Sequence, residues 1–239
     1  PLMEGVDYDQ VIDLAPDIQV VFHDAGHILG SAIVEVKYQT DGNLRQIFFS
    51  GDLGNPPTPL LRPTEFVQDA DYLVVESAYG DRIHEDRSER KNKLIGVIQE
   101  TIKKGGTLMI PSFALERTQE LLFELNEMIN NKEIPEVPVF VDSPLAIKIT
   151  EVYEKYPGYF NEKSNYLIKS GDDIFKFPLL KLTPSSEESK KINNVPSPKI
   201  IIAGAGMSNG GRILHHERRY LSDPNSTILF VGYQVAGSL

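Results

Sequence analysis

Short apolar strands alternate with amphipathic helices from about residue 88 onward, and this alternation constrains the fold more than any other feature of the sequence. It is typical of a parallel sheet whose strands are connected by helices. The spacing of apolar residues predicts helices over 88–104, 115–130, 146–155 and 213–221, and strands over 107–111, 137–141, 199–203 and 227–231. We therefore predict an α/β fold over about 88–232, with helices on both faces of a parallel-rich sheet.

Two regions differ from this pattern. The first 85 residues are rich in strands, predicted at 18–24, 31–38, 46–50 and 71–76, and Asp41-Gly42-Asn43 marks a hairpin turn. The composition changes near residues 77–90, where we place a domain boundary. Residues 161–198 are rich in Lys, Ser, Asn and Pro, so we expect loops there, with one short helix near 186–193.

Charge and cysteine content narrow the classes of function. The formal net charge is −10, which argues against a diffuse basic surface for non-specific nucleic-acid binding but leaves local basic pockets open. Cysteine is absent, so any metal must be bound by His and carboxylate side chains. The apolar runs are too short to cross a membrane, and we expect a cytoplasmic protein without a membrane partner.

Two glycine-rich loops each carry a side chain that binds metals. His27 lies in Ala25-Gly26-His27-Ile28-Leu29-Gly30-Ser31, and Asp52 lies in Ser50-Gly51-Asp52-Leu53-Gly54. Both loops follow predicted strands, and such residues suit a hard or borderline metal ion. Taken singly, a His beside glycine is more often structural and an Asp beside glycine is more often a turn residue, so both interpretations stay open at this point.

Two further segments place polar groups at the ends of strands. Glu76 ends the apolar run that begins at Asp71, and such strand ends collect the polar groups of α/β sites. The alternative is a Glu that pairs with a helix N-terminus. The segment Gly204-Ala205-Gly206-Met207-Ser208-Asn209-Gly210-Gly211-Arg212 joins a strand to a helix, a turn that suits an anion but is common in other proteins.

Together these segments resemble the metallo-β-lactamase superfamily and, within it, the β-CASP nucleases that process RNA. The segments around His27, Asp52 and Glu76 resemble its third metal-binding motif, its fourth and its motif A. Three more stretches resemble the bacterial and archaeal members related to the polyadenylation-specificity-factor endonuclease subunit: Ile110-Pro111-Ser112-Phe113-Ala114-Leu115-Glu116-Arg117-Thr118-Gln119-Glu120, Val141-Asp142-Ser143-Pro144-Leu145-Ala146, and Gly206–Arg212 with His215-His216.

The resemblance also implies a domain organisation. The family's His-x-His-x-Asp-His motif would precede residue 1, and its motif B and C histidines would follow residue 239. The chain is therefore expected to be an internal piece of a longer protein. Residues 1–85 would be the trailing part of a metallo-β-lactamase αββα segment, 86–232 a three-layer β-CASP α/β domain with a mostly parallel sheet, and 233–239 the start of the return hinge.

The function implied by the resemblance is zinc-dependent hydrolysis of RNA phosphodiesters in RNA processing or decay. Two zinc ions would occupy the full-length site, where His27 binds one and Asp52 bridges both. Glu76 would orient the motif B histidine, which acts as general acid. Endonuclease and 5′→3′ exonuclease modes both stay open. The isolated chain is expected to be inactive and to bind zinc weakly, if at all.

The implied substrate is single-stranded RNA. The family-like loops make Ser112, Arg117, Asn209 and Arg212 the predicted phosphate contacts. In an acidic protein the alternative for both arginines is pairing with carboxylates.

Two other functions compete with the ribonuclease. One is a DNA nuclease of the same superfamily, and the other is a non-catalytic RNA-binding or scaffold subunit. The bacterial-type motifs favour RNA, and the presence of His27, Asp52 and Glu76 argues against a subunit that has lost its ligands. The oligomeric state stays open, with a homodimer among the options.

Overall fold

The chain divides into two units in a computed structural model that describes residues 2–81, 83 and 89–237. The first unit comprises residues 1–84 and 159–162, and the second comprises 85–158 and 163–239. None of the described helices is both long enough and apolar enough to span a bilayer.

The first unit contains a five-stranded sheet in the order β1-β2-β3-β4-β5. Neighbours from β1 to β4 are antiparallel, whereas β4 and β5 are parallel. The strands are β1 Ile12–Ala15, β2 Ile18–Asp24, β3 Ala32–Thr40, β4 Asn43–Phe49 and β5 Tyr72–Val74. It follows that β2, β4 and β5 run in the same direction and end at the same edge of the sheet.

The predicted hairpin turn connects β3 to β4 and sets their register. Asp41 and Gly42 both have positive φ, at 50° and 74°, and Thr40 pairs with Asn43 across the turn. Two consecutive residues of this kind match the twist of the adjoining strands, which is why Asp-Gly is favoured there. The register that results places Val34 opposite Phe49, beside the loop that carries Asp52.

The second unit is built around a five-stranded sheet in the order β10-β6-β9-β7-β8, and every neighbouring pair is parallel. The strands are β6 Thr107–Pro111, β7 Val139–Asp142, β8 Leu180–Leu182, β9 Lys199–Ala203 and β10 Thr227–Ile228. The helices are α1 Arg90–Lys103, α2 Arg117–Asn130, α3 Pro144–Tyr153, α4 Glu162–Lys169, α5 Ser186–Lys191 and α6 Ile213–Tyr220, with 3₁₀ turns at Pro157–Tyr159 and Ile192–Asn194.

Hydrophobic clusters cover both faces of this second sheet. Leu108 and Ile110 of β6 belong to a cluster that includes Ile98 of α1 and Leu121 of α2. The alternate residue Met109 belongs to a cluster on the opposite face, with Ile213 of α6 among its members. Successive side chains of a strand point to opposite faces, so two helical layers enclose the sheet. This confirms the predicted α/β fold with a parallel sheet and helices on both faces.

Several sequence predictions were wrong in detail. Residues 161–198 contain α4 and β8 in addition to the short helix α5. The sequence did not predict α4 because it is largely polar, nor β8 because its three residues are too few for a periodic signal. The strands predicted over 71–76 and 227–231 are confined to β5 and β10. β1 was missed, and Ser88, the predicted start of α1, lies outside the described residues.

Candidate functional site

Three of the predicted site residues follow the three co-directional strands of the first sheet. His27 comes three residues after β2, Asp52 three residues after β4, and Glu76 two residues after β5. Because these strands end at one edge, the loops that carry the three side chains lie side by side. This edge is our candidate active site.

His27 and Asp52 face each other at this edge. The His27 Nε2 atom lies 3.9 Å from Asp52 Oδ2, and the two side chains are 42% and 74% exposed. The separation is too long for a hydrogen bond, and solvent reaches both groups. The pair therefore presents one imidazole nitrogen and one carboxylate oxygen, with room for a third atom between them.

Close packing of two glycines fixes the loops that carry this pair. Gly54 N donates a hydrogen bond of 2.8 Å to Ala25 O, and a Cβ added at Gly54 would lie 2.0 Å from Gly26 O. Thr64 Oγ1 lies within hydrogen-bonding distance of both Ala25 O, at 2.9 Å, and Gly54 O, at 3.0 Å, so its one O–H group connects both loops to a third segment. Only a residue without a Cβ atom permits the backbone at Gly54 to lie this close to Gly26. These two glycines therefore help to position His27 and Asp52.

Glu76 contacts the loop of Asp52 directly. Its Oε1 atom accepts a hydrogen bond of 2.6 Å from Leu53 N, and its own backbone N donates to Ser50 Oγ at 3.0 Å. Glu76 thus contacts the chain on both sides of Asp52, through the backbone of Leu53 and the side chain of Ser50. The sequence predicted a different partner for this carboxylate, a histidine outside the chain, and that role stays a prediction.

The His27 and Asp52 pair is compatible with a shared metal ion. In tetrahedral zinc, nitrogen and oxygen ligands at about 2.0–2.2 Å from the ion lie about 3.4 Å from each other. The observed separation is 3.9 Å, so binding of one ion would draw the two exposed side chains about 0.5 Å closer together. Catalytic zinc has about three protein ligands, and this edge supplies two from the described residues.

A second group of ionisable side chains surrounds His23 in the same unit and was not predicted. Its Nδ1 atom lies 2.8 Å from Asp9 Oδ1 and 3.6 Å from Glu65 Oε1, and its Nε2 atom lies 3.0 Å from Glu35 Oε2. Burial opposes protonation of the imidazole, but hydrogen bonds to Glu35 and Asp9 outweigh it and raise the His23 pKa. A protonated imidazole accounts for this arrangement, because both ring nitrogens face carboxylates.

The carboxyl ends of the parallel strands in the second unit carry the other predicted residues. Ser112 follows β6, is 2% exposed, and its Oγ lies 3.1 Å from Thr118 Oγ1. The turn after β9 is compact, since a Cβ added at Gly211 would lie 2.2 Å from Gly204 O. Asn209, near the middle of that turn, is exposed. Of these two polar side chains, only that of Asn209 is open to a ligand from solvent.

Asp142, the last residue of β7, organises this edge, although the sequence analysis gave it no role. Its carboxylate is fully buried and is surrounded by four side chains. The contacts are Arg212 Nη1 at 2.8 Å, His216 Nε2 at 2.7 Å, Thr183 Oγ1 at 2.8 Å and Ser189 Oγ at 2.7 Å. Burial alone would raise the Asp142 pKa, but these hydrogen bonds hold it at about 2.

Both predicted phosphate-binding arginines are paired with carboxylates. Arg212 donates to Asp142 and to Thr183 O, and Arg117 pairs with Glu120 one turn along α2. The arrangement corresponds to the alternative considered for an acidic protein. Phosphate contact by either arginine stays a prediction, because Arg117 keeps 32% and Arg212 keeps 20% of its side chain exposed.

Comparisons with known proteins agree on one family. The Beta-Casp domain profile matches residues 118–239, half of the chain. The chain is 36% identical over 222 residues to Ribonuclease TTHA0252 of Thermus thermophilus, covering 93% of this chain and 50% of the relative. It is 35% identical over 239 residues to Transcription termination factor FttA of Methanosarcina mazei and 36% identical to that of Pyrococcus horikoshii, covering 98% of this chain and 37% and 36% of those relatives. The chain thus spans half or less of these relatives.

Proposed function

The chain belongs to the Beta-Casp family, and we propose that in the full-length protein it supplies part of the active site of a zinc-dependent ribonuclease. Residues 1–85 would contribute the trailing part of a metallo-β-lactamase domain, residues 86–232 the β-CASP domain, and residues 233–239 the start of the return hinge. The substrate would be single-stranded RNA, with the cytoplasm as the expected compartment. One relative is named as a ribonuclease, which favours RNA over the DNA nuclease alternative.

The observation that carries this proposal is the placement of His27 and Asp52. Their side chains are exposed and separated by 3.9 Å, and two loops packed glycine to glycine hold them. A pair with a purely structural role would be expected to form a direct hydrogen bond or to be buried. Zinc bound here would polarise a phosphate oxygen and lower the pKa of a water molecule.

In this proposal each residue of the chain has a separate task. His27 offers its Nε2 atom as a neutral ligand. Asp52 offers a carboxylate whose negative charge offsets the positive charge of the metal ions. Glu76 keeps Asp52 in place through Leu53 N–H and would orient the general-acid histidine that the family resemblance predicts. Asn209 and the exposed parts of Arg117 and Arg212 contact RNA phosphates, whereas Ser112, predicted for the same task, is 2% exposed and would need to become accessible first. The experiment that tests the proposal measures RNA cleavage by the full-length protein and by its Asp52→Ala variant.

The isolated chain of 239 residues is expected to bind zinc weakly or not at all and to leave RNA uncleaved. Two protein ligands cannot replace the three or four that a zinc site needs. Titration calorimetry with zinc measures this directly. Asp9, His23 and Glu65 also bring three ligand atoms within 4.8 Å of one another, so a His23→Gln variant controls for zinc held by that group. Tight stoichiometric binding that His27→Ala abolishes would contradict the expectation.

Replacing Glu76 in the full-length protein separates its two tasks. Glu76→Ala is expected to lower the cleavage rate about 10–100-fold with the zinc content retained, as is typical when a group that orients a ligand is lost. Glu76→Gln keeps an oxygen for Leu53 N–H but removes the charge. A rate loss in the Gln variant as large as in Ala would assign the effect to the charge. Loss of zinc from the Ala variant would instead make Glu76 a metal ligand.

A further inference from the structure

Two neighbouring arginines on α6 differ from every other arginine that the structure describes. Five of the described arginines lie within 4 Å of a carboxylate oxygen: Arg45, Arg62, Arg90, Arg117 and Arg212. Arg218 and Arg219 have no such partner among the described residues, and both are exposed. They are thus two adjacent exposed guanidinium groups, free of carboxylate partners among the described residues, in a chain with a net charge of −10.

These arginines belong to a group of four exposed residues, called the strip, that begins in the glycine-rich turn and continues along α6. α6 starts at Ile213, directly after that turn, and His215 lies three and four residues before Arg218 and Arg219. Residues at this spacing share one side of a helix. Asn209, His215, Arg218 and Arg219 are all exposed, whereas Ile213, His216 and Glu217 are buried against the fold.

We infer that this strip binds the backbone of single-stranded RNA outside the hydrolytic site, and the inference rests on the proposed ribonuclease function. Guanidinium groups bind phosphate oxygens through two parallel hydrogen bonds, and a polyanion is the ligand that complements unpaired arginines on an acidic protein. Arg219 also lies over the ring of Tyr220, at 5.7 Å from its centroid, which limits the freedom of its side chain. The strip would retain RNA while the cleaved bond occupies the site.

The experiment compares Arg218→Gln/Arg219→Gln with Lys190→Gln/Lys191→Gln in the full-length protein carrying Asp52→Ala, so that bound RNA is not cleaved. The control pair removes the same charge from exposed residues at the end of α5. Binding of oligouridylate is measured over a range of salt concentrations. Loss of two phosphate contacts should reduce the log–log salt slope by about 1.4, since each contact on a single strand contributes about 0.7. The control should leave the slope unchanged.

Three results would overturn the inference. An unchanged slope in the arginine variant, or an equal change in the lysine control, would show that the strip has no specific part in RNA binding. A changed oligomeric state with unchanged RNA affinity would show that the arginines contact a second copy. If the protein with native Asp52, Arg218 and Arg219 cleaves RNA, each of these results contradicts only the RNA-binding strip, and the proposed ribonuclease function still holds. If it neither binds nor cleaves RNA, both proposals fail.

Discussion

Asp52→Ala in the full-length protein is expected to abolish RNA cleavage. The carboxylate is exposed and faces His27 at 3.9 Å, and no side chain among the described residues donates a hydrogen bond to it. Its removal should therefore not disturb the fold. If Asp52 bridges two metal ions, its loss removes both a ligand and the spacing of the pair. The cleavage rate should therefore fall by far more than it does when an orienting group is lost, which typically costs about 10–100-fold. Single-turnover cleavage with metal analysis of each variant measures it.

Asp17→Ala is a matched control for this prediction. Asp17 is an exposed aspartate of the same unit, in the turn between β1 and β2. Its variant should cleave RNA at the rate of the unaltered protein and contain as much zinc. Equal cleavage by the Asp52→Ala variant would remove Asp52 from the metal site.

Asp142→Ala is expected to destabilise the second unit by about 3–5 kcal/mol, the usual cost of removing one partner from a buried ion pair. The variant would leave His216, which is 3% exposed, without the acceptor at its Nε2 atom, and would leave Arg212 with backbone carbonyl acceptors but no carboxylate. It would also remove the hydrogen bonds that connect β7 to Ser189 of α5, to His216 of α6 and to Arg212, the residue before α6. Urea unfolding followed by circular dichroism measures the change in free energy.

Two comparisons test the cause of this loss. Glu151→Ala removes an exposed carboxylate from α3 and should change stability by less than about 0.5 kcal/mol. Lowering the pH provides the second test. The folded pKa of Asp142, at about 2, lies below its ordinary value of 3.8, so its contribution is complete above 3.8 and falls as the pH drops towards 2. Over that interval Asp142→Ala should lose less stability than the unaltered chain. Parallel losses would assign the stability of this edge to other groups.

The second sheet could be predicted because its central strands are continuous apolar runs. β6 and β9 are buried along their whole length and adjoin helices with clear periodicity. α4 and β8 could not be predicted, since α4 is mostly polar and β8 has only three residues, and the ordering of both depends on contacts with the rest of the fold. Local pattern fixes an element only when one of its faces is distinctly apolar.

The candidate site divides in the same way. The approach of His27 to Asp52 follows from strand direction and from the glycines beside them, and both signals are local. Pairing of Arg212 with Asp142 joins residues 70 positions apart, and Glu35 and Glu65 meet His23 across distant segments. No short motif encodes such pairs. For this reason the sequence predicted that Arg212 contacts phosphate but did not identify Asp142 as its carboxylate partner.

The most direct test of the account is RNA cleavage by the full-length protein during removal and return of zinc. Chelation should abolish cleavage, and added zinc should restore it to the unaltered protein but not to the Asp52→Ala variant. Cleavage that persists in chelator, or that zinc restores equally in both proteins, would contradict a zinc-dependent ribonuclease in which Asp52 binds the metal.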